Sequence, residues 1–352
     1  MASHIQLAEE LLRLSLQLSD SNIKAGGIIW ASIVLWRHQD INRATLLFEL
    51  GLKLHLSLPL GTGQGLSNFN WCLGLLCMQL GKRDIAEAHF SECIRIGGEV
   101  GNGAALFEGL SGLAWLGVQA AISASERELA RARLRKSDEL IARVMQGYSQ
   151  ALIIVGEYEL AETVLKESCA IWHQLDVRWD SGLGSAQALL DLGQVAWLQG
   201  NWALAQSRFE QSLHEFNLVG DIERIARLHT FIGLTKLAQC EMQSIAADFH
   251  YGLDLYRKLE QPAGIALSLI AFAALANAQG QHERAAKLSG VASVPQDIVA
   301  LSILWPSITV IFNREIDAAW RRYSETEWKS SWVEGEQMMQ AQAIELILSN
   351  RC

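Results

Sequence analysis

Apolar residues recur at three- and four-residue spacing along most of the chain, as in Leu189–Leu198 and again in Leu204–Leu213. That period puts them on one face of a helix, whereas a strand would alternate them. The pattern also repeats on a longer scale. Leu192-Gly193, Ala196, Gly200, Trp202, Ala205, Phe209 and Ser212 are echoed by Gly233, Cys240, Met242, Ile245, Phe249 and Gly252, and then by Ala273, Ala276, Gly280, His282, Ala285 and Ser289. Upstream, Gly74, Gly81, Ala86, Phe90 and Cys93 fit the same frame, as do Gly156, Tyr158, Ala161, Leu165 and Ser168. A looser copy holds Ser32, Ile41, Ala44, Phe48 and Gly51, and the period is about 40–44 residues.

Each unit reads as two amphipathic helices joined by a tight turn. Gly200 and Gly280 fall where the first helix must stop, and glycine takes the left-handed conformation after a helix without strain. The small residues Ala86, Ala161, Ala205 and Ala285 let the helices approach, and Phe48, Phe90, Phe209 and Phe249 fill the space beside them. One pair cannot bury its own apolar stripe, so the pairs must stack. The expected fold is therefore all-α: a right-handed α-solenoid of about six to seven helix pairs, closed by a divergent C-terminal helical cap. Residues 1–292 are expected to form one continuous repeat domain, with capping helices from 293–352 packed on the last repeat.

Local signals refine this expectation. Segment 104–140 should hold the pair Ala105–Ala121 and Glu126–Leu140, with an expanded turn at Ile122-Ser123-Ala124-Ser125. Ser3-x-x-Gln6, Ser125-x-x-Glu128 and Ser324-x-x-Glu327 read as capping boxes. Pro59 and Pro262 fall between units, where proline harms no helix. Residues 4–18 resemble the second helix of a unit, with Ala8 and Leu12 at its small and large positions, so the chain is expected to begin mid-repeat. Beyond Ala292 the frame breaks. Pro306 suits the first turn of a helix reaching Tyr323, and a Trp-rich helix should follow around Trp328 and Trp332.

The order Leu-Gly, Gly, aromatic, Ala, Phe resembles the tetratricopeptide repeat over residues 20–290, with a longer unit and without that family's closing proline. The tail, Glu283-Arg284-Ala285-Ala286-Lys287-Leu288-Ser289-Gly290, then Trp328-x-x-x-Trp332-x-Glu334-Gly335-x-x-Met338 and Ala343-Ile344, resembles that of bacterial LuxR-type and related STAND regulators. In those proteins an NTPase module precedes such repeats. The resemblance implies repeats that sense a signal or dock a partner and restrain an NTPase, often upstream of a DNA-binding helix-turn-helix. Neither of those modules is legible in the 352 residues. What remains is a sensing or scaffolding arm.

Composition agrees with a folded, non-secreted protein. Apolar residues make up 50% and charged residues 19% of the chain, which excludes intrinsic disorder. The net charge is −9 and no basic cluster stands out to offset it, so nucleic acid is not the expected ligand. No apolar run reaches the roughly 20 residues that span a bilayer. The six cysteines follow no framework spacing. A cytoplasmic protein is the expectation.

Chemical motifs are weak. Gly74 to Gly81-Lys82-Arg83 lacks the spacing and the Ser/Thr of a phosphate-binding loop. Gly182-Leu183-Gly184 lacks both the strand and the last glycine of a dinucleotide fingerprint, and reads as an inter-repeat loop. His282-Glu283 begins like a zinc-protease helix, but Ala286 stands where the second histidine belongs. His89 and Cys93 have ligand spacing without further ligands. Asp138, Glu139, Asp221 and Glu223 read as surface charge. No enzyme, cofactor or metal is expected.

First helices of tetratricopeptide arrays line a groove. Carrying those offsets onto this chain selects Arg37, Asn68, Trp71, Met78, Gln79, Arg143, Gln146, Gln150, Gln187, Gln194, Trp197, Arg227, Thr230 and Asn277, with no Asp or Glu among them. Arginine pairs carboxylates bidentately, and Trp and Arg are enriched at binding hot spots. The expected function is a non-enzymatic protein-interaction module of bacterial signalling or transcriptional control, holding an acidic or amide-rich protein segment. Its partner could be a separate NTPase or DNA-binding regulator. The alternative is a small-molecule sensor with an enclosed pocket around Trp71 and Trp197 that controls such an NTPase.

Overall fold

A computed structural model describes residues 4–17, 21–37, 40–56, 63–175, 181–241, 244–293, 310 and 325–348. Among them are seventeen helices and no strand, in two compact units, Met1–Val155 and Gly156–Cys352.

The N-terminal unit contains α1 (His4–Gln17), α2 (Ser21–Arg37), α3 (Ile41–Leu56), α4 (Gly63–Gln79), α5 (Arg83–Val100), α6 (Gly103–Leu116), α7 (Val118–Leu134) and α8 (Asp138–Val155). Sequential helices pack as α2 on α3, α4 on α5 and α6 on α7, and α8 covers both α6 and α7. The first helices also touch one another, α2 with α4, α4 with α6 and α6 with α8, so they form a continuous layer.

The C-terminal unit contains α9 (Tyr158–Gln174), α10 (Ser181–Leu198), α11 (Trp202–Val219), α12 (Ile222–Ala238), α13 (Ile245–Lys258), α14 (Pro262–Ala278), α15 (His282–Ala292), α16 (Glu325–Glu336) and α17 (Gln340–Leu348). Here α10 packs on α9 and α11, α12 on α13, and α14 on α15.

The expected small and aromatic positions carry this packing. Ala86, Ala161, Ala205 and Ala285 are fully buried, as are the rings of Phe48, Phe90, Phe209 and Phe249. Three of these rings lie where the partner helix has no side chain. A methyl group on Gly74 would stand 2.5 Å from the Phe90 ring, and one on Gly193 would stand 2.5 Å from Phe209; Gly233 is crowded in the same way by Phe249. Rings also link one pair to the next. Phe209 stacks on Phe231 at 5.3 Å, Phe249 meets Phe272 edge-on at 5.5 Å, and Phe90 closes over Gly112.

The first-helix turns share one geometry. Gly81, Gly200 and Gly280 have φ of 71°, 80° and 75°. The amides of Lys82, Asn201 and Gln281 donate back to Cys77, Ala196 and Ala276 at 2.8 Å, which satisfies carbonyls left open at the helix end. Cys240 occupies the same position with φ 59°, and Glu241 N donates to Lys236 O at 2.9 Å. Lys136, after α7, is left-handed as well, at 53°.

Three local expectations are corrected. The helix break in segment 104–140 falls at Gly117, which is extended between α6 and α7, and not at 122–125. Ser125 is therefore a buried interior residue of α7 and caps nothing. The Gly182–Gly184 stretch is the first turn of α10, and Gly184 seats the Trp172 ring of α9. Of the other signals, Ser3, Ser324, Pro59 and, apart from Val310, the segment from Pro306 to Tyr323 lie outside the described residues. Pro262 opens α14, as its fixed φ favours.

The Trp-rich tail packs on the last repeat. Trp328 is fully buried against Ala276, Ala285 and Ala286. Gly290 and Gly335 let the backbones of α15 and α16 touch, since a methyl group on either would strike the other helix's carbonyls. Lys287 Nζ pairs with Glu334 at 2.9 Å, and Arg284 donates to Leu346 O at 3.3 Å.

A side chain bearing a Cβ strains the left-handed region, so Cys240→Gly should stabilise the protein by about 0.5–1 kcal/mol after the entropy gained by the unfolded chain is deducted. Urea denaturation checks this; a lower midpoint for Cys240→Gly would contradict the turn geometry.

Candidate functional site

The groove residues are divided between first helices of the two units. Asn68, Trp71 and Met78 lie on α4, and Arg143, Gln146 and Gln150 on α8. In the other unit, Gln187, Gln194 and Trp197 lie on α10, Arg227 and Thr230 on α12, and Asn277 on α14. Arg37 and Gln79 belong to α2 and α4, but their side chains lie outside the described residues.

Exposure divides the set. Asn68, Trp71 and Arg143 are half-buried, while the other described members are buried. Several are occupied by packing. Trp197 meets Trp202 edge-on at 5.3 Å. Thr230 donates to Ala226 O at 3.1 Å, and Asn277 Oδ1 lies 3.0 Å from His282 Nδ1.

The buried group on α10 and α12 forms a network. Gln187 Nε2 donates to Asp191 Oδ1 at 3.0 Å, while its Oε1 accepts from Arg224 Nε at 3.1 Å. Arg224 also donates to Asp221 Oδ2 at 2.6 Å, and Asp221 caps α12 through Arg224 N. Arg227, 3% exposed, has Glu223 Oε1 3.6 Å away. Burial pushes the Arg227 guanidinium down, while Tyr256, Glu223 and Asp191 push it back up. Burial likewise raises the Tyr256 phenol.

This network changes two expectations. Asp221 and Glu223 are part-buried partners of arginines and not loose surface charge. The inner face is also not free of acids, because Asp191, 1% exposed, shares it with Gln187 and Gln194. The i, i+4 spacing from Gln187 to Asp191 was the available signal. Offsets borrowed from another repeat length passed over it.

Other polar clusters are structural. His89 Nδ1 lies 3.0 Å from Asn70 Oδ1, with its pKa lowered by burial, and Cys93 donates to Ala105 O at 3.4 Å. Gly74 and Gly81 serve as a ring seat and a turn, not as a phosphate loop. Asp248 accepts from Lys236 Nζ at 2.6 Å and lies 3.1 Å from His229 Nδ1. Burial pushes the Asp248 carboxyl up, yet these hydrogen bonds outweigh it and hold the carboxyl below its ordinary value. Lys236 also donates to Ser244 Oγ at 3.0 Å. Among the described residues no three His, Cys, Asp or Glu side chains gather as metal ligands, and no helix is long and apolar enough to cross a membrane. A cavity of about 530 Å³ lies at the α14–α15 turn, lined by His282, Arg284, Lys287 and Leu346 among others. Its cations are engaged: Arg284 with Gln281 and Leu346 O, Lys287 with Glu283 and Glu334.

The fold is that of a tetratricopeptide-like helical-repeat protein, an α-solenoid class. Among solved structures, the chain is similar to a Rap protein complexed with competence and sporulation factor, with a TM-score of 0.51 and 11% identity, covering 94% of this chain and 98% of that one. It is similar as well to the Rap conjugation gene regulator of plasmid pLS20 in complex with the Phr* peptide, with a TM-score of 0.51 and 12% identity, covering 95% and 78%. No protein-family model and no curated protein sequence matches the chain.

Removing one partner of a buried charge pair costs about 3–5 kcal/mol. Arg227→Glu should therefore destabilise the protein by roughly that amount, since it also places a carboxylate beside Asp191 and Glu223. Arg143→Glu, on a half-exposed side chain, should cost about 1 kcal/mol or less. Equal losses in chemical denaturation would refute the distinction between a structural and an accessible arginine.

Proposed function

We propose that the protein is a non-enzymatic regulatory module that binds a protein segment or peptide on its first-helix layer. The observation carrying this reading is the half-exposed set Asn68, Trp71 and Arg143, presented by α4 and α8 within one continuous layer of the N-terminal unit. An amide, an indole and a guanidinium together suit a polypeptide: the amide reads backbone groups, the indole covers an apolar side chain, and the guanidinium pairs a carboxylate. Arg227 is removed from this role, because it is 3% exposed and buried inside the fold.

Two proteins similar in fold were solved in complex with competence and sporulation factor and with the Phr* peptide, which makes peptide recognition a fitting use of this architecture. The regulator-like tail extends the reading to restraint of a separate NTPase or DNA-binding partner in the bacterial cytoplasm. Residues 1–292 would act as the recognition arm, capped by 293–352.

A tagged pull-down from native-host lysate, read by mass spectrometry, tests the proposal with wild type beside Trp71→Ala/Arg143→Glu. A regulatory protein or peptide should be recovered by wild type and depleted about tenfold in the variant, a loss of about 1.4 kcal/mol. Equal recovery by both, or robust hydrolase or NTPase turnover by the purified protein, would end this reading.

A further inference from the structure

The exposed side of α7 carries a charge pattern opposite to that of the whole chain. Between residues 127 and 136 stand Arg127, Arg131, Arg133, Arg135 and Lys136, all exposed, in a protein of net charge −9. Net charge had concealed this cluster. The one acid in that span, Glu128, is 4% exposed, and its carboxylate pairs with Arg131 at 2.7 Å. Arg135 donates to the carbonyls of Gly98 and Glu99. Arg127, Arg133 and Lys136 form no ion pair with the described residues. Glu126 and Asp138 bound the patch at its two ends.

Cations near a helix C-terminus complement its dipole, which accounts for Arg131 and Arg133 in the last turn. The dipole does not account for Arg127, two turns earlier, nor for the residue at the centre. Leu134 is 84% exposed, the highest value of any large apolar side chain among the described residues. It shares a face with Arg127 and Arg131 at i, i+4 and i+7. The patch extends about 15 Å along the helix.

We infer that this face of α7 docks an acidic, amphipathic segment of a partner protein, with Leu134 as the apolar anchor and the surrounding arginines pairing its carboxylates. Charge complementarity sets the chemistry: an acidic segment is repelled by the rest of this surface and attracted here, which fixes where it lands. The same features disfavour nucleic acid. A phosphate backbone would satisfy the arginines but leave Leu134 against a polyanion, and the net negative charge opposes a long polyanion's approach. Arginine is enriched at protein interfaces. This surface is separate from the Asn68, Trp71 and Arg143 set and does not depend on it.

Fluorescence anisotropy on the full chain at physiological salt provides the test. The probes are a short labelled helical peptide with Glu on one face and Leu on the other, the same peptide with Ser replacing Leu, and a short DNA in single- and double-stranded form. The Glu/Leu peptide should bind saturably and more tightly than the Ser peptide or either DNA. Arg127→Glu/Arg133→Glu should weaken it about tenfold or more, and Leu134→Ser severalfold, with circular dichroism unchanged. Arg143→Glu should leave it unaltered, which separates this site from the first-helix layer. Absence of saturable binding, equal binding by the charge-reversed variant, equal binding of the Ser peptide, or tighter binding of DNA would each overturn the inference.

Discussion

The helix pairs are set by rings of the second helix lying on residues of the first that have almost no side chain. Gly74 under Phe90, Gly193 under Phe209 and Gly233 under Phe249 are the same contact in three repeats. The ring supplies the apolar area, and the glycine lets the backbones come close enough to exclude water around it. Helix crossing and register follow, because the ring fits over one position. The alanine one turn before Phe90 and before Phe209 keeps the rest of the interface equally close, and buried Ile245 takes that place before Phe249. Ring-to-ring contacts such as Phe209 with Phe231 then pass the geometry to the next pair.

With the second helices occupied in this way, the first helices are left to carry polar chemistry. In the C-terminal unit that chemistry is internal. Gln187 links Asp191 on α10 to Arg224 on α12, Arg224 pairs with Asp221, and Glu223 lies beside Arg227, so a ligand would have to displace these partners to use them. In the N-terminal unit, Asn68, Trp71 and Arg143 keep part of their surface. Burial rather than residue type separates a structural arginine from a partly exposed one.

Much of the fold was legible because the repeat is written in backbone requirements. A left-handed turn at Gly200 or Gly280, and a ring at Phe209 or Phe249, are demands few residues meet, so they recur visibly. Even the exception at Cys240 could be located by its place in the frame. The break at Gly117 was missed because the frame placed a turn several residues later, and Ser125-x-x-Glu128 offered a false start. A capping box is local and carries no information about whether its serine is buried. The candidate site was legible only as a face. Which of its members remain accessible depends on neighbours distant in sequence, as Trp202 covers Trp197. The cations of α7 were lost in the net charge, since it was the inward turn of Glu128 that left them uncompensated on the surface.

A thermodynamic cycle on Gly193→Ala and Phe209→Leu measures the central contact directly. The account predicts that Gly193→Ala costs about 1–3 kcal/mol against the native ring and clearly less against leucine, a coupling of about 1 kcal/mol or more. Gly193→Ala combined with Phe90→Leu, a ring seated on other glycines, should be additive within about 0.5 kcal/mol. Additivity between Gly193→Ala and Phe209→Leu themselves would contradict the claim that the ring's seat on glycine sets the repeat.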